Sequence, residues 1–377
     1  MNKSFYLTLM IGPAVPVPVP QEVLDALTGV QVTTTAERNA PSVFQLTFNI
    51  SNHSILQTLF LLAGGAVPPV FRVLLVVTIG GAPEVLIDGV VTRTDISPGA
   101  AGNLSTLTVT GSDLTAVMDL IPFDGFPFPA MPAEAQVALI LAKYAVFGVL
   151  PLVIPSLMID VPIPTDRIPR QKGTDLEHIR GLAHEVGHVF YLKPGPAPGT
   201  TLAYWGPEIK VGAPQPALNV DMGAHTNVES LSFNFNAEAP ELPILMIHNK
   251  ESKLTIPIPV PDILPINPPL GLIPPIPKKI TKIKTTAKFD AIRAALIGLA
   301  QAAQSADAVS GSGTLDVLRY GQPLRARGLV GVRGVGPAFD GLHYVKSVTH
   351  NIKKGEYKQS INLTRGGLIS TVPRVPV

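Results

Sequence analysis

Cysteine is absent from this 377-residue chain. That excludes a disulfide framework and every thiolate metal site, and it leaves the compartment open. Charge is scarce too. Charged residues make up 15% of the sequence against 46% apolar, and the formal net charge is +2 with both signs scattered. No electrostatic footprint for nucleic acid is visible, and the composition is that of a chain with surface to bury on assembly. Aromatics stand at 6% with a single tryptophan, Trp205, which is lean for a monomeric module that stacks carbohydrate or peptide on surface rings. Long apolar runs are also missing. "ILQTLFLLAGGAVPPVFRVLLVVTIGG" is broken by Pro68, Pro69 and Arg72, whereas a spanning helix needs about 20 apolar residues in a row. It reads as buried helix, turn and strand, so no membrane insertion is expected. "MNKSFYLTLMIGPAVPVPVP" runs into a proline ladder where a cleavage site should be, so Phe5 to Leu9 reads as a first strand rather than an export signal.

Proline (39) and glycine (33) are plentiful, which favours many short strands and turns. Residues 1–115 read as β, with "VFQLTFNI", "RVLLVVTIG", "EVLIDGVVTRTDISPG" and "STLTVTGSDL" as strands. Residues 116–217 change character. "PAEAQVALILAKYAVFG" is an amphipathic helix, and "QKGTDLEHIRGLAHEVG" is a second whose start is marked by Thr174 and Glu177 at capping-box spacing. Strands return over 218–250 and 314–370. Between them, residues 251–313 hold a proline-saturated stretch, a lysine-rich patch read as a solvated face, and an Ala-rich helix expected over about 287–304. The proline tract, which begins near residue 240, is expected to be extended and to supply neither a central strand nor a helix. Residues 371–377 form a tail.

The two β regions echo each other. Asp88-Gly89 opens a strand that turns and returns as "TLTVTG", and Asp340-Gly341 opens "LHYVKSVTH", which turns at Lys354-Gly355 and returns as "QSINLTRGG". Such repetition points to a duplicated β domain.

One motif belongs to enzyme chemistry. His184-Glu185-Val186-Gly187-His188 spells H-E-x-x-H. On a continuing helix it would bring two imidazoles to one zinc ion, with the glutamate as base. Here Leu176, Ile179, Ala183 and Val186 form the apolar stripe of the helix, and Gly187 falls where a C-terminal glycine belongs. "HVFYL" then reads as a strand that carries His188 away from His184. Glu208 and Glu229 lie in turn or strand contexts and supply no third ligand from a downstream helix. A zinc metallopeptidase is therefore the second reading, and the primary expectation is no metal, no cofactor and no catalytic residue.

The order of these segments resembles the late-control D-like hub proteins of contractile phage tails and contractile injection systems. "IDGVVTRTDISPG…STLTVTGSDLTAVMDL" resembles that family's first-barrel hairpin. "QKGTDLEHIRGLAHEVGHVFYLKPG" resembles its helix followed by G-x-x-F-Y, in which the two histidine positions are not ligands. "AYWGPEI", "QPALNVDMGAHTNVESLSFNFN" and "FDGLHYVKSVTHNIKKGEYKQSINLTRGGL" match its second half. The resemblance implies an α+β chain dominated by β, with two similar tube-type β-barrel domains, an α/β insertion between them and the Pro-rich and helical insertion inside the second. It also implies a homotrimer forming a pseudo-six-fold ring between a hexameric inner tube protein and a three-fold spike. The spike would be a separate protein, because the sequence stops just past the second barrel. Other baseplate components and a cargo or tape-measure protein are further implied partners, with assembly in the cytoplasm into a tail or injection particle. Candidate interface residues are Phe5, Leu7, Leu9, Phe44, Leu46 and Phe48 in the first barrel. In the second they are Leu231, Phe233, Phe235, Val345, Val348 and His350.

Overall fold

A computed structural model describes residues 5–372 apart from 14, 52–53, 55, 57–59, 61–69, 100–103, 157–160, 166–167, 239–240, 249–254, 260–266, 284–296 and 300–306, and apart from the side chains of 245–248, 255–259 and 283. The first half contributes β1 (Phe5–Gly12), β2 (Val17–Pro18), β3 (Leu27–Thr35), β4 (Val43–Ile50), β5 (Arg72–Ile79), β6 (Ala82–Ser97) and β7 (Ser105–Asp113). Period-2 patterning makes these strands. In β4, Phe44, Leu46, Phe48 and Ile50 point into one core while the residues between them face outward. Burying each such side chain stabilises the fold by roughly 1.5–3 kcal/mol. Gly111 in β7 is required by the same core, since a Cβ there would lie 2.4 Å from the Phe44 ring.

An insertion follows, with helices Ala133–Ala142 and Asp175–Glu185 and strands β8 (Val149–Val153), β9 (Val189–Pro194) and β10 (Thr201–Gly206). Its own core gathers Leu141, Ile179, Phe190 and the fully buried Trp205. A buried ion pair ties it to the first half. Arg72 of β5 donates to both carboxylate oxygens of Asp88 in β6, at 2.7 and 2.6 Å, and to the carbonyls of Phe147 and Gly199. The Thr201 hydroxyl donates to the same Asp88 carboxylate.

The second half contains β11 (Gln215–Asn219), β12 (Val228–Phe235), β13 (Glu241–His248), β14 (Thr255–Pro259), β15 (Gly271–Ile273), β16 (Lys279–Ile283), β17 (Val309–Asp316), β18 (Leu329–Arg333), β19 (Gly341–Lys353), β20 (Glu356–Arg365) and β21 (Leu368–Ser370). The two halves share one sheet, in the order β12-β17-β20-β19-β3-β4-β7-β6-β5-β1-β2, with β18 and β11 branching from β19. The join is β19 against β3, antiparallel, from Ser347↔Thr35 to Ile352↔Val30.

The halves repeat each other strand by strand. The path β12-β17-β20-β19-β18 matches β3-β4-β7-β6-β5 in order, with residues 236–308 inserted between β12 and β17 where a short loop joins β3 to β4. Two irregularities repeat with it. β3 skips a residue at Thr28 against β4, and β12 skips one at Glu229 against β17. β6 skips Thr92 against β7, and β19 skips Lys346 against β20. Bulges fix register, so these four residues align the halves. Among the described residues no ladder joins β1 to β3 or β11 to β12, so strand hydrogen bonds close neither half into a full barrel. Side chains of the second half underlie the gap in the first, since Val317, Ile352 and Tyr357 belong to the first core.

The proline tract departs from expectation. β13 is the centre of a separate three-stranded sheet, β14-β13-β16. The prolines lie where a ladder tolerates them. Pro257 and Pro259 are on the edge strand β14, and Pro243 lies ahead of the stretch of β13 that pairs with β14. Asn267 then bonds the 208–210 loop, accepting from Lys210 N at 2.6 Å and donating to Glu208 O at 2.8 Å. Of the expected helix over 287–304, only 297–299 falls within the described residues, and these are helical.

Candidate functional site

The H-E-x-x-H segment ends a helix rather than continuing one. Thr174 caps the start, accepting from Glu177 N at 3.2 Å, and Glu177 returns the bond to Thr174 N at 3.0 Å. The stripe of Leu176, Ile179, Ala183 and Val186 is buried. Gly187 has φ of 72°. Its N–H bonds His184 O, and His188 N–H bonds Ala183 O at 2.7 Å, the paired bonds of a Schellman stop. His184 is left on the exposed face of the helix, while His188 enters the core at the head of β9. There its ring stands edge-on to Trp205 at 4.5 Å. Burial pushes the His188 imidazole down to about 4, with the nearby Glu134 carboxylate opposing. Neither Glu208 nor Glu229 joins these groups in a metal-holding cluster; among the described residues no group of three or more His, Asp or Glu could hold an ion.

What the fold does expose is strand edge. β6 has 16 residues, and the two neighbours divide it: β5 pairs with Ala82–Val90, and β7 with Gly89–Ser97. On the β5 side, beyond the bond from Val91 N to Phe71 O at 2.9 Å, the edge of β6 from Thr92 to Ser97 is therefore unpaired among the described residues. β12 ends the sheet, paired with β17 alone among the described residues. These two open edges correspond, through the bulges, to the two edges already joined inside the chain. The Arg93–Ser97 stretch corresponds to Ser347–Asn351 of β19, and Leu231–Asn236 corresponds to Val30–Thr35 of β3. In the internal join the side chains meet in register, with the Thr33 and Thr349 hydroxyls 3.0 Å apart and Gln31 donating to Asn351 at 3.2 Å.

The expected interface residues distribute unevenly over this geometry. Val345, Val348 and His350 lie on β19; Val348 and His350 fall in the internal join, opposite Thr34 and Val32. His350 is a buried group, its Nδ1 2.6 Å from the Tyr357 hydroxyl, and burial pushes it down to about 3. Leu231, Phe233 and Phe235 lie on the open edge strand β12, and Phe233 stacks on Phe339. Phe5, Leu7 and Leu9 lie on β1 and pack into the first core. Phe44, Leu46 and Phe48 are buried in that core too, on a strand flanked by β3 on one side and β7 on the other. The free edge of β6 was not among the expectations. Its sequence signal is the length of "APEVLIDGVVTRTDIS", twice that of β5.

No family model and no curated protein matches the chain by sequence. Solved structures do match by fold. A tail protein from Neisseria meningitidis MC58 aligns over 97% of this chain and 98% of its own, with a TM-score of 0.61 at 12% identity. The 43 kDa tail protein of prophage MuSo2 from Shewanella oneidensis aligns over 96% and 98%, with a TM-score of 0.59 at 15% identity. An Escherichia coli component of the type VI secretion system, described as structurally similar to the T4 bacteriophage tail proteins gp27 and gp5, aligns over 92% and 77%, with a TM-score of 0.53 at 11% identity. The chain shares the fold of these phage tail and secretion-system proteins.

Proposed function

We propose that the chain is a non-enzymatic hub of a contractile-tail or injection-system baseplate. Three copies form a ring that meets a hexameric inner tube on one face and a three-fold spike on the other, leaving a lumen for cargo or a tape-measure protein. The observation that carries this reading is the repeated half with its two unused edges. A head-to-tail contact between unlike patches generates a ring when the rotation closes. β6 of one copy pairs with β12 of the next as β19 pairs with β3 inside the chain, which sets Arg93 opposite Asn236, Asp95 opposite Asn234 and Ser97 opposite Ser232. Each chain then supplies two similar segments, so three chains give six around the ring. The particle assembles in the cytoplasm, and no helix among the described residues is long and apolar enough to cross a membrane.

The absence of cysteine makes the test direct. Asp95→Cys combined with Asn234→Cys sets one thiol on each proposed edge, at the positions matching the Thr349–Thr33 contact. Mild oxidation gives covalently linked trimers if the pairing is right. Asp95→Cys with Ser230→Cys, four residues out of register, gives little. Equal cross-linking of both pairs, or a monomer by native mass spectrometry with the spike protein present, would overturn the reading.

A further inference from the structure

The first half contains a groove that the ring scheme does not use. It lies where β1 and β3 fail to meet, encloses about 870 Å³ and is lined by Phe5 to Leu7, by Leu24 and Asp25 of a short helix (Gln21–Ala26), by Leu27 to Val30, and by the basic residues Arg319, Lys353 and Lys354. We propose that this groove takes up one extended segment of a partner protein, acidic and apolar in alternation, as an added strand.

Backbone chemistry sets the shape of the occupant. β1 pairs with β5 on one side; on its other edge β2 covers Met10 and Ile11, and Val19 N donates to Leu9 O at 3.0 Å, which leaves Phe5 to Thr8 open among the described residues. β3 pairs with β19 from Val30 onward, which leaves Leu27 to Gly29 with no ladder on that side among the described residues. Two runs of backbone donors and acceptors thus face one gap, and an extended chain is the partner that answers both. Direction follows from the topology. Each neighbouring pair from β3 through β4, β7, β6 and β5 to β1 is antiparallel, so β1 and β3 run opposite to each other. A single inserted strand is parallel to one of them and antiparallel to the other. Strand spacing, rise and sheet thickness give roughly 160 Å³ for one strand residue, so the groove holds about five.

Charge and polarity set its composition. Phe5, Leu7, Leu24, Leu27 and the buried Ile352 offer an apolar floor to alternate side chains. On the rim, Arg319, Lys353 and Lys354 are exposed, while the ion pairs in this part of the chain use Lys346, Lys358 and Arg325 instead. The one carboxylate in the lining, Asp25, accepts from Gln21 at 3.0 Å. Three cations against one engaged acid select an acidic occupant. The open edge strand β12 of a second copy is a poor candidate, because its single acid, Glu229, is held by Lys358 at 3.0 Å.

The test uses the full chain and a fluorescein-labelled heptapeptide alternating valine and glutamate, with an alternating valine–lysine peptide and a glutamate peptide carrying a central proline as controls. Anisotropy is expected to show saturable binding of the glutamate peptide and at least tenfold weaker binding of both controls. Lys353→Glu with Lys354→Glu, two exposed changes that leave the core intact, lowers the affinity at least tenfold. Hydrogen exchange slows at Phe5 to Thr8 and Leu27 to Gly29 on binding. Failure to saturate by about 1 mM, equal binding of the lysine peptide, or protection at other strands would overturn the proposal. So would sedimentation showing that the peptide displaces a second copy from this groove. The ring cross-link reads β6 and β12 separately, so either result stands whatever the other gives.

Discussion

The ring of Phe5 in β1 lies 5.6 Å from the ring of Tyr357 in β20, tilted by 55°. The first described strand of the chain thus packs on a strand of the opposite half, and the first core is incomplete without it. Tyr357→Ala is expected to cost about 3–5 kcal/mol and to lower the unfolding midpoint of both halves together, read by urea titration with probes in each. Loss of one half while the other keeps its midpoint would show that the cores are independent.

The Arg72–Asp88 pair has its side chains 3% and 0% exposed. Removing one partner leaves the other charge buried, so Asp88→Ala is expected to cost about 3–5 kcal/mol. Replacing both, as Arg72→Met with Asp88→Leu, is expected to recover much of that loss in the same titration. A double variant no better than the single would place the weight on the bonds from Arg72 to the Phe147 and Gly199 carbonyls.

Burial pushes His343 and His350 down to about 3, with the Arg365 charge reinforcing the effect at His343. Both are therefore neutral in the folded chain and take up protons on unfolding once the pH is below the ordinary value of about 6.5. Their contribution to stability is full above that value and is lost as the pH falls from there towards 3. Each steepens the loss by about 1.4 kcal/mol per pH unit. His343→Leu is expected to remove one such increment from the slope of stability against pH between about 4 and 6. An unchanged slope would mean that His343 titrates alike folded and unfolded.

His184 and His188 end on different elements, so zinc has no paired site there. Excess zinc is expected to leave the melting temperature unchanged, and His188→Ala to leave the metal content of the purified chain unchanged. Stoichiometric zinc lost on that substitution would restore the peptidase reading.

Much of this was legible in the residues, for physical reasons that differ from place to place. The capping box at Thr174, the apolar stripe and the glycine stop at Gly187 are local signals, complete within a dozen residues. The alternation of Phe44, Leu46, Phe48 and Ile50 marks a strand with one buried face. Local patterns do not say which strands meet, and a buried position looks the same in a core as beneath a subunit contact. For that reason β4 suggested an interface and is flanked on both sides within the chain. The proline tract misled through composition. Pro257 and Pro259 forbid a central strand but permit an edge, and only the neighbouring β13 reveals that an edge was available. The open side of β6 depends on β5 stopping short at Arg72, a matter of relative length that no single segment encodes.

The join of β19 to β3 also decides how the halves bear force. Its hydrogen bonds lie across the strands, so pulling one half along the strand direction loads every pair from Ser347↔Thr35 to Ile352↔Val30 at once, in shear. Pulling the halves apart at one end loads the pairs in turn, like a zip. The same molecule is therefore stiff to thrust along β3 and weak to peeling, and its mechanical strength depends on the direction from which a neighbour pushes.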